Sequence, residues 1–313
     1  MTVPNQGPSS APSLAAFSDE LAAVVERIGA SVVALQARRS YPSSGVVLQS
    51  GVVATAAHTL RRDDGISALM PDGSIAAAAL AGVDPGTDIA ILRVESSAGA
   101  PAEFADAAAV RAGNYVVAVA RDADGTLAAS AGIVARAGGE WRTWRGARVE
   151  PRIQLDGGLW SGFSGGPVAD ARGRAIGIGT SGLSRGRAVV IPGAVVKRVS
   201  EMLLARGRIA RAWIGAAVQS VELPPALRSR LGLSNTQGLI VLSTVPQGPA
   251  EAAGVMLGDI LLAVDGEALA AVEDLTAALT PERVGKAVKV SLIRGGELIS
   301  AEVTLGERPH GRC

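Results

Sequence analysis

The stretch SGFSGGPV at residues 161–168 sets the hydroxyl of Ser164 among Gly162, Gly165 and Gly166. A serine hydroxyl is a weak nucleophile until a base takes its proton, and the base needs a carboxylate to fix its tautomer and stabilise its charged form. The chain has only two histidines, His58 and His310, so two assignments exist. In the first, G-F-S-G-G matches the G-x-S-x-G elbow, whose partners follow in the order acid, histidine, as Asp265 and His310 do. That elbow needs a helix straight after the serine, where Gly165, Gly166 and Pro167 oppose one. His310 also lies in a polar tail, ERPHGRC, with nothing to orient it. The second order is His58, Asp88, Ser164. His58 ends the apolar run VVATAAHTL, and Asp88 follows a Pro-Gly turn in VDPGTDIAILRV at the head of an apolar strand. A carboxylate placed there is half-buried and needs partners. Asp84 suits the turn itself.

The glycines complete this chemistry. Gly162 and Gly165 allow a sharp turn that brings the N–H groups of Gly162 and Ser164 toward one point, where a developing oxyanion would sit. Each such donor is worth roughly 3–4 kcal/mol in a transition state.

Residues that converge in this way need a rigid frame. From residue 31 onward, the short β-branched runs SVVAL, GVVLQ, VVATA, IAILRV and YVVAVA, separated by Gly, Pro, Asp and Ser, predict a barrel or sandwich. A helix with Ser18 as its cap is predicted from the spacing of Leu21, Val24, Val25 and Ile28, and GAVVKRVSEMLLARG predicts another that ends at Gly207. A second unit follows residue 210, with strands near 213–219, 238–245, 258–264, 287–294 and 299–304 and helices near 249–253 and 271–279. The predicted division is an arm over 1–17, a first domain over 18–207, a second over 211–308 and a tail over 309–313.

The composition narrows the function classes. The chain has 313 residues, 48% of them apolar but only 3% aromatic, so Ala, Val, Leu and Ile must fill the core. A formal net charge of +1 without basic runs argues against nucleic acid as a partner. Two distant histidines and the single cysteine, Cys313, cannot build a zinc cluster, and no nucleotide-binding glycine loop is present. No metal or other cofactor is expected. The first residues lack the charged and apolar regions of a secretory signal, and no run is long enough to span a membrane, so the plain expectation is a cytoplasmic protein.

Taken together, TAAH, DPGTDIAIL and GFSGGPV resemble the chymotrypsin-fold serine proteases of the HtrA/Deg family, and the resemblance runs from about residue 20 onward. SSGVVLQSGVVATAAHTL resembles the strand pair leading to the family's histidine, GRAIGIGTS the strand that pairs with substrate backbone, and RAVVIPGAVVKRVSEML the specificity loop and closing helix. The second unit resembles a PDZ domain, through GPAEAAGVMLGDILLAVDGEAL and through RAWIGAAV, which places Trp213, Ile214, Gly215 and Ala216 in the carboxylate-binding loop. The implied fold is mainly β, a chymotrypsin-like double β-barrel followed by a small α+β PDZ domain. The implied activity is hydrolysis of peptide bonds in unfolded or damaged proteins by His58, Asp88 and Ser164, with peptide C-termini bound by the PDZ domain. A homotrimer and a periplasmic or membrane-associated location are further implications. One departure points to a second reading. Phe163 stands where the family usually has Asn, and a loop tilted by that bulk would leave an inactive peptide-binding or chaperone module.

Overall fold

The computed structural model describes residues 14–37, 42–60, 65–143, 148–184, 187–207 and 212–307. Most of the predicted arm and all of the predicted tail, with His310 and Cys313, lie outside the described residues, as does the segment 208–211. The chain divides near residue 208 into two compact units.

The first unit begins with α1 (Leu14–Gly29), which starts four residues ahead of the predicted cap, so Ser18 lies inside the helix. Its early turn is held by Phe17, whose ring meets Tyr115 edge-on at 5.5 Å. Val24 and Ile28 face the sheet residues Val117, Val119 and Ala175. Six strands then close a barrel: β1 (Val32–Gln36), β2 (Ser43–Gln49), β3 (Val52–Ala56), β4 (Ile66–Leu69), β5 (Ile75–Asp84) and β6 (Ile89–Val94), in the order β1-β2-β3-β6-β5-β4. Leu35, Val47, Val53, Met70 and Leu92 fill it.

A second barrel is built from β7 (Tyr115–Arg121), β8 (Leu127–Ala137), β11 (Ile153–Leu155), β12 (Pro167–Asp170), β13 (Ala175–Thr180) and β14 (Val189–Pro192), ordered β11-β14-β13-β12-β7-β8. A small hairpin of β9 (Trp141–Arg142) and β10 (Arg148–Val149) stands outside it. Val116, Val134, Val168, Ile176 and Val190 form its core, with Phe163 among them. Each fully buried Val or Ile contributes about 1.5–3 kcal/mol. Closure leaves neither sheet with a free edge. The unit ends in α2 (Gly193–Arg206), capped by Gly207 at φ 70°.

The second unit is an open sheet ordered β16-β17-β18-β20-β21, made of β16 (Ala216–Glu222), β17 (Gln237–Thr244), β18 (Ile260–Val264), β20 (Ala287–Arg294) and β21 (Glu297–Thr304). The two-residue strand β19 (Glu267–Ala268) pairs with β18, and β15 (Ala212–Trp213) pairs with β22 (Gly306–Glu307). Among the described residues, three α-helices accompany the sheet: α3 (Pro225–Leu231), α4 (Pro249–Ala252) and α5 (Val272–Ala278). Leu239, Val241, Leu261, Val290 and Val303 form the core with Leu275 of α5. A buried carboxylate, Asp259, receives both arms of the Arg294 guanidinium at 2.8 and 2.6 Å and the Met256 N–H at 2.8 Å.

Candidate active site

His58 occupies a single 3-10 turn, Ala57–Thr59, that stops β3. Thr59 helps fix the turn by donating its hydroxyl to the Ala56 carbonyl at 2.7 Å. Asp88 arrives from the turn that joins β5 to β6. There the Asp84 carboxylate accepts the Gly86 N–H at 3.0 Å, the Thr87 N–H at 3.2 Å and the Thr87 hydroxyl at 2.7 Å, as a turn aspartate does. The backbone leaves this turn with Asp88 at φ 59°, a left-handed conformation that Asp tolerates better than most residues.

The Asp88 carboxylate is 2% exposed, more deeply buried than its sequence context suggests. It is fully engaged. Oδ1 accepts the His58 main-chain N–H at 2.8 Å, and Oδ2 lies 2.7 Å from His58 Nδ1. Oδ2 also accepts a short hydrogen bond from the Thr180 hydroxyl. An ionised carboxylate only accepts, so this geometry puts the His58 ring proton on Nδ1 and leaves Nε2 as the basic nitrogen.

Ser164 lies in a loop whose own hydrogen bonds fold it tightly. Phe163 N–H donates to the Trp160 carbonyl at 3.2 Å, Gly166 N–H to Phe163 at 3.0 Å and Gly165 N–H to Gly179 at 2.9 Å. Gly162 and Gly165 both have positive φ, 90° and 92°, which few side chains permit. Gly165 has a second constraint, since a β-carbon there would collide with the Ser44 carbonyl and the Thr55 hydroxyl. Among the described residues, neither the Gly162 nor the Ser164 N–H donates to an acceptor of the chain.

The end of β13 joins the two halves of the site. Thr180 binds Asp88, and the next residue, Ser181, binds Ser164: the two hydroxyl oxygens are 3.2 Å apart, and Ser181 N–H reaches Ser164 Oγ at 3.4 Å. Gly182 follows, with its N–H on the Thr180 hydroxyl at 2.9 Å. His58, Asp88 and Ser164, far apart in the chain, are thus gathered around residues 180–182. Sequence reasoning did not single out Thr180, Ser181 or Gly182. The only signal was GRAIGIGTS, read as a strand for substrate backbone. The Phe163 ring is 7% exposed and sits in the second-barrel core.

In the second unit, Trp213 to Ala216 form the connection from β15 to β16. Ile214 is buried, Gly215 has φ 79°, and the carbonyls of Ile214 and Gly215 accept the N–H groups of Ala250 and Val245, each at 2.8 Å. The N–H groups of Ile214 and Gly215 make no such bond among the described residues. The strand that this loop feeds, β16, is at an edge of the sheet. Asp265, the acid of the elbow assignment, instead stands in the turn after β18 and accepts the Lys289 N–H at 2.8 Å.

Comparison with known proteins fits this architecture. Residues 43–178 match the trypsin-like peptidase domain family, and residues 212–305 match the PDZ domain family. A Brucella suis protein named as a periplasmic serine endoprotease, DegP-like, is 32% identical over 281 residues, covering 86% of this chain. The solved HtrA-type protease AlgW with decapeptide superposes with a TM-score of 0.71 at 26% identity, covering 93% of this chain and 99% of that one. The chain thus carries a trypsin-like peptidase domain followed by a PDZ domain, and it resembles the HtrA-type proteases over both. The serine endoprotease of Yersinia pestis superposes on this chain with a TM-score of 0.70 at 25% identity, covering 97% and 100% of the two chains. A Pseudomonas putida relative, also named periplasmic and DegP-like, is 29% identical over 276 residues. The chain spans about half the length of the curated relatives it matches, 53% for the Brucella suis protein. These names overturn the cytoplasmic expectation, which rested on the first residues of the sequence. Among the described residues, no helix is long and apolar enough to cross a membrane.

Proposed function

We propose that this chain hydrolyses peptide bonds in unfolded or damaged proteins, with Ser164 as nucleophile, His58 as general base and Asp88 as the carboxylate that orients it. The observation that carries this reading is the threefold engagement of Asp88 by His58 N–H, His58 Nδ1 and Thr180 Oγ1. It fixes the ring plane and the tautomer, and it supplies a negative charge beside the imidazolium that forms when Nε2 takes the Ser164 proton. When the scissile carbonyl enters, the Ser164 hydroxyl turns from Ser181 to Nε2; such catalytic bonds tighten only in the substrate complex. The new bond forms between Oγ and the carbonyl carbon. The Gly162 and Ser164 N–H groups take up the charge on the carbonyl oxygen. His58 then returns its proton to the leaving amine, and water repeats the sequence to release the acyl group.

The loop 213–216 captures peptide C-termini in this reading. The N–H groups of Ile214 and Gly215 meet the carboxylate, and the peptide adds to the β16 edge as a further strand. Bound peptides recruit substrates or alter activity. The relatives' names support a periplasmic setting. A homotrimer is the assembly the family resemblance implies, and sedimentation of the chain tests it.

The inactive-module reading loses its motive, because Phe163 is a core residue and leaves the loop compact. Intact-mass analysis after a fluorophosphonate probe tests the assignment. One adduct on the wild type and none on Ser164→Ala or His58→Ala is expected. A wild type that stays unlabelled, with and without added C-terminal peptides, refutes it.

A further inference from the structure

Ser44 is wholly buried near the start of β2, in the first barrel, yet its hydroxyl serves the Ser164 loop. Oγ donates to the Gly162 carbonyl at 2.9 Å and accepts the main-chain N–H of Arg121 at 3.2 Å. The Ser44 carbonyl accepts the Thr55 hydroxyl at 2.7 Å and leaves no room for a β-carbon on Gly165. One face of the loop therefore rests on a residue 118 positions away in sequence.

The bond to Gly162 has a particular geometric effect. The Gly162 carbonyl and the Phe163 N–H are the two ends of one peptide unit. Ser44 holds the first, and the Trp160 carbonyl holds the second at 3.2 Å. A peptide pinned at both ends cannot flip. The units on either side of it carry the N–H groups of Gly162 and Ser164, so their directions follow. A rotated unit would carry the Gly162 carbonyl oxygen away from Ser44, and an oxygen dipole turned toward the oxyanion would repel it. The pin is itself braced. The Arg121 guanidinium, 8% exposed, donates to the carbonyls of Val32 at 2.7 Å, Gly125 at 2.7 Å and Gly29 at 2.8 Å. The N–H that Ser44 accepts thus comes from a residue tied to the end of α1 and to β1.

We infer that Ser44 is a positioning residue for the oxyanion site: its hydroxyl fixes the Gly162–Phe163 peptide so that the Gly162 and Ser164 N–H groups converge. This rests on the proposed role of those two donors. The effect belongs to the transition state, since the pinned peptide matters most when the carbonyl oxygen becomes charged.

Steady-state hydrolysis of a peptide substrate and inhibition by a peptide boronate, which forms a tetrahedral adduct, are measured on the full chain. The variants are Ser44→Ala, Ser44→Cys and, as a stability control, Ser31→Ala, which removes another buried hydroxyl, one that donates to the Ile28 carbonyl at 2.7 Å. Ser44→Ala is expected to lower kcat roughly 10- to 100-fold, less than the loss of a whole oxyanion donor, with KM within about twofold and boronate affinity reduced by a similar factor. Ser44→Cys keeps the shape but only a weak donor. It is expected to lose kcat with a near-native melting temperature, so the test survives even if the Ala variant folds poorly. Ser31→Ala should lower the melting temperature while kcat stays at the wild-type value. Wild-type kcat in Ser44→Cys, or a loss in the Ser44 variants matched by Ser31→Ala, overturns the role of Ser44 and leaves the catalytic assignment standing. A wild type indistinguishable from Ser164→Ala overturns both.

Discussion

Gly182 lies directly against His58: a β-carbon on Gly182 would stand 2.5 Å from Nδ1 and 2.7 Å from Asp88 Oδ2. The His58–Asp88 bond is thus roofed by bare backbone, so close that a side chain on Gly182 would collide with it. Gly182→Ala should displace the imidazole by several tenths of an ångström or push the 180–182 segment outward. Since small misplacements of a catalytic group can cost about 100-fold, kcat/KM is expected to fall roughly 10- to 100-fold with far-UV circular dichroism unchanged. Wild-type hydrolysis by this variant would show that the segment yields at no cost.

Phe163 anchors the Ser164 loop from beneath, through a ring in the core formed by Val116, Val168, Ile176 and Val190. Truncation leaves a cavity and frees the loop together. Phe163→Ala should lower stability by about 3–5 kcal/mol, read as an earlier thermal unfolding of the first unit. Phe163→Leu, which refills part of the volume, should retain more of both stability and activity. An Ala variant that unfolds at the wild-type temperature would contradict the anchoring role.

In the second unit, burial pushes the Asp259 carboxyl upward, but the Arg294 hydrogen bonds, the Met256 N–H and the Arg294 charge outweigh it and hold its pKa below the ordinary 3.8. A carboxylate with a depressed folded pKa adds stability that is complete above the unfolded value and is lost as pH falls through the folded one. The unit should therefore keep its stability down to about pH 4 and lose it below, as measured by urea unfolding across pH. Asp259→Ala leaves Arg294 unpaired and uncaps the Met256 N–H. It should destabilise the unit by about 3 kcal/mol at pH 7 and flatten the acid dependence. An acid limb that persists unchanged in the variant would assign it to other carboxylates.

The parts of the site that were legible in the sequence share one property: each is marked by its immediate neighbours. Asp88 follows DPGT, and Ser164 stands among glycines, because turn chemistry is local and leaves a local trace. In the second unit, Pro249 and Gly254 mark the α4 turn in the same way. The buried roles left no such trace. Ser44 meets Gly162, and Thr180 meets Asp88, across 118 and 92 residues, and only closure of the two barrels makes them neighbours. Gly182 looks like any loop glycine until His58 is placed beside it. The cap expected at Ser18 failed for a related reason, since the helix extends back to Leu14 with Phe17 seated against the distant Tyr115. The short α3 was missed although Pro225 sits at its first turn, because seven residues give too little periodicity to read.

The four tryptophans are spread so that each candidate ligand loop carries one. Trp160, 74% exposed, lends its carbonyl to the fold of the Ser164 loop, and Trp213 opens the 213–216 loop. Indole emission responds to solvent, so the chain has an optical reporter built into each loop. Replacing the other tryptophans by phenylalanine would leave Trp160 or Trp213 to be followed alone, and occupancy of one loop could be timed against occupancy of the other without attaching a label.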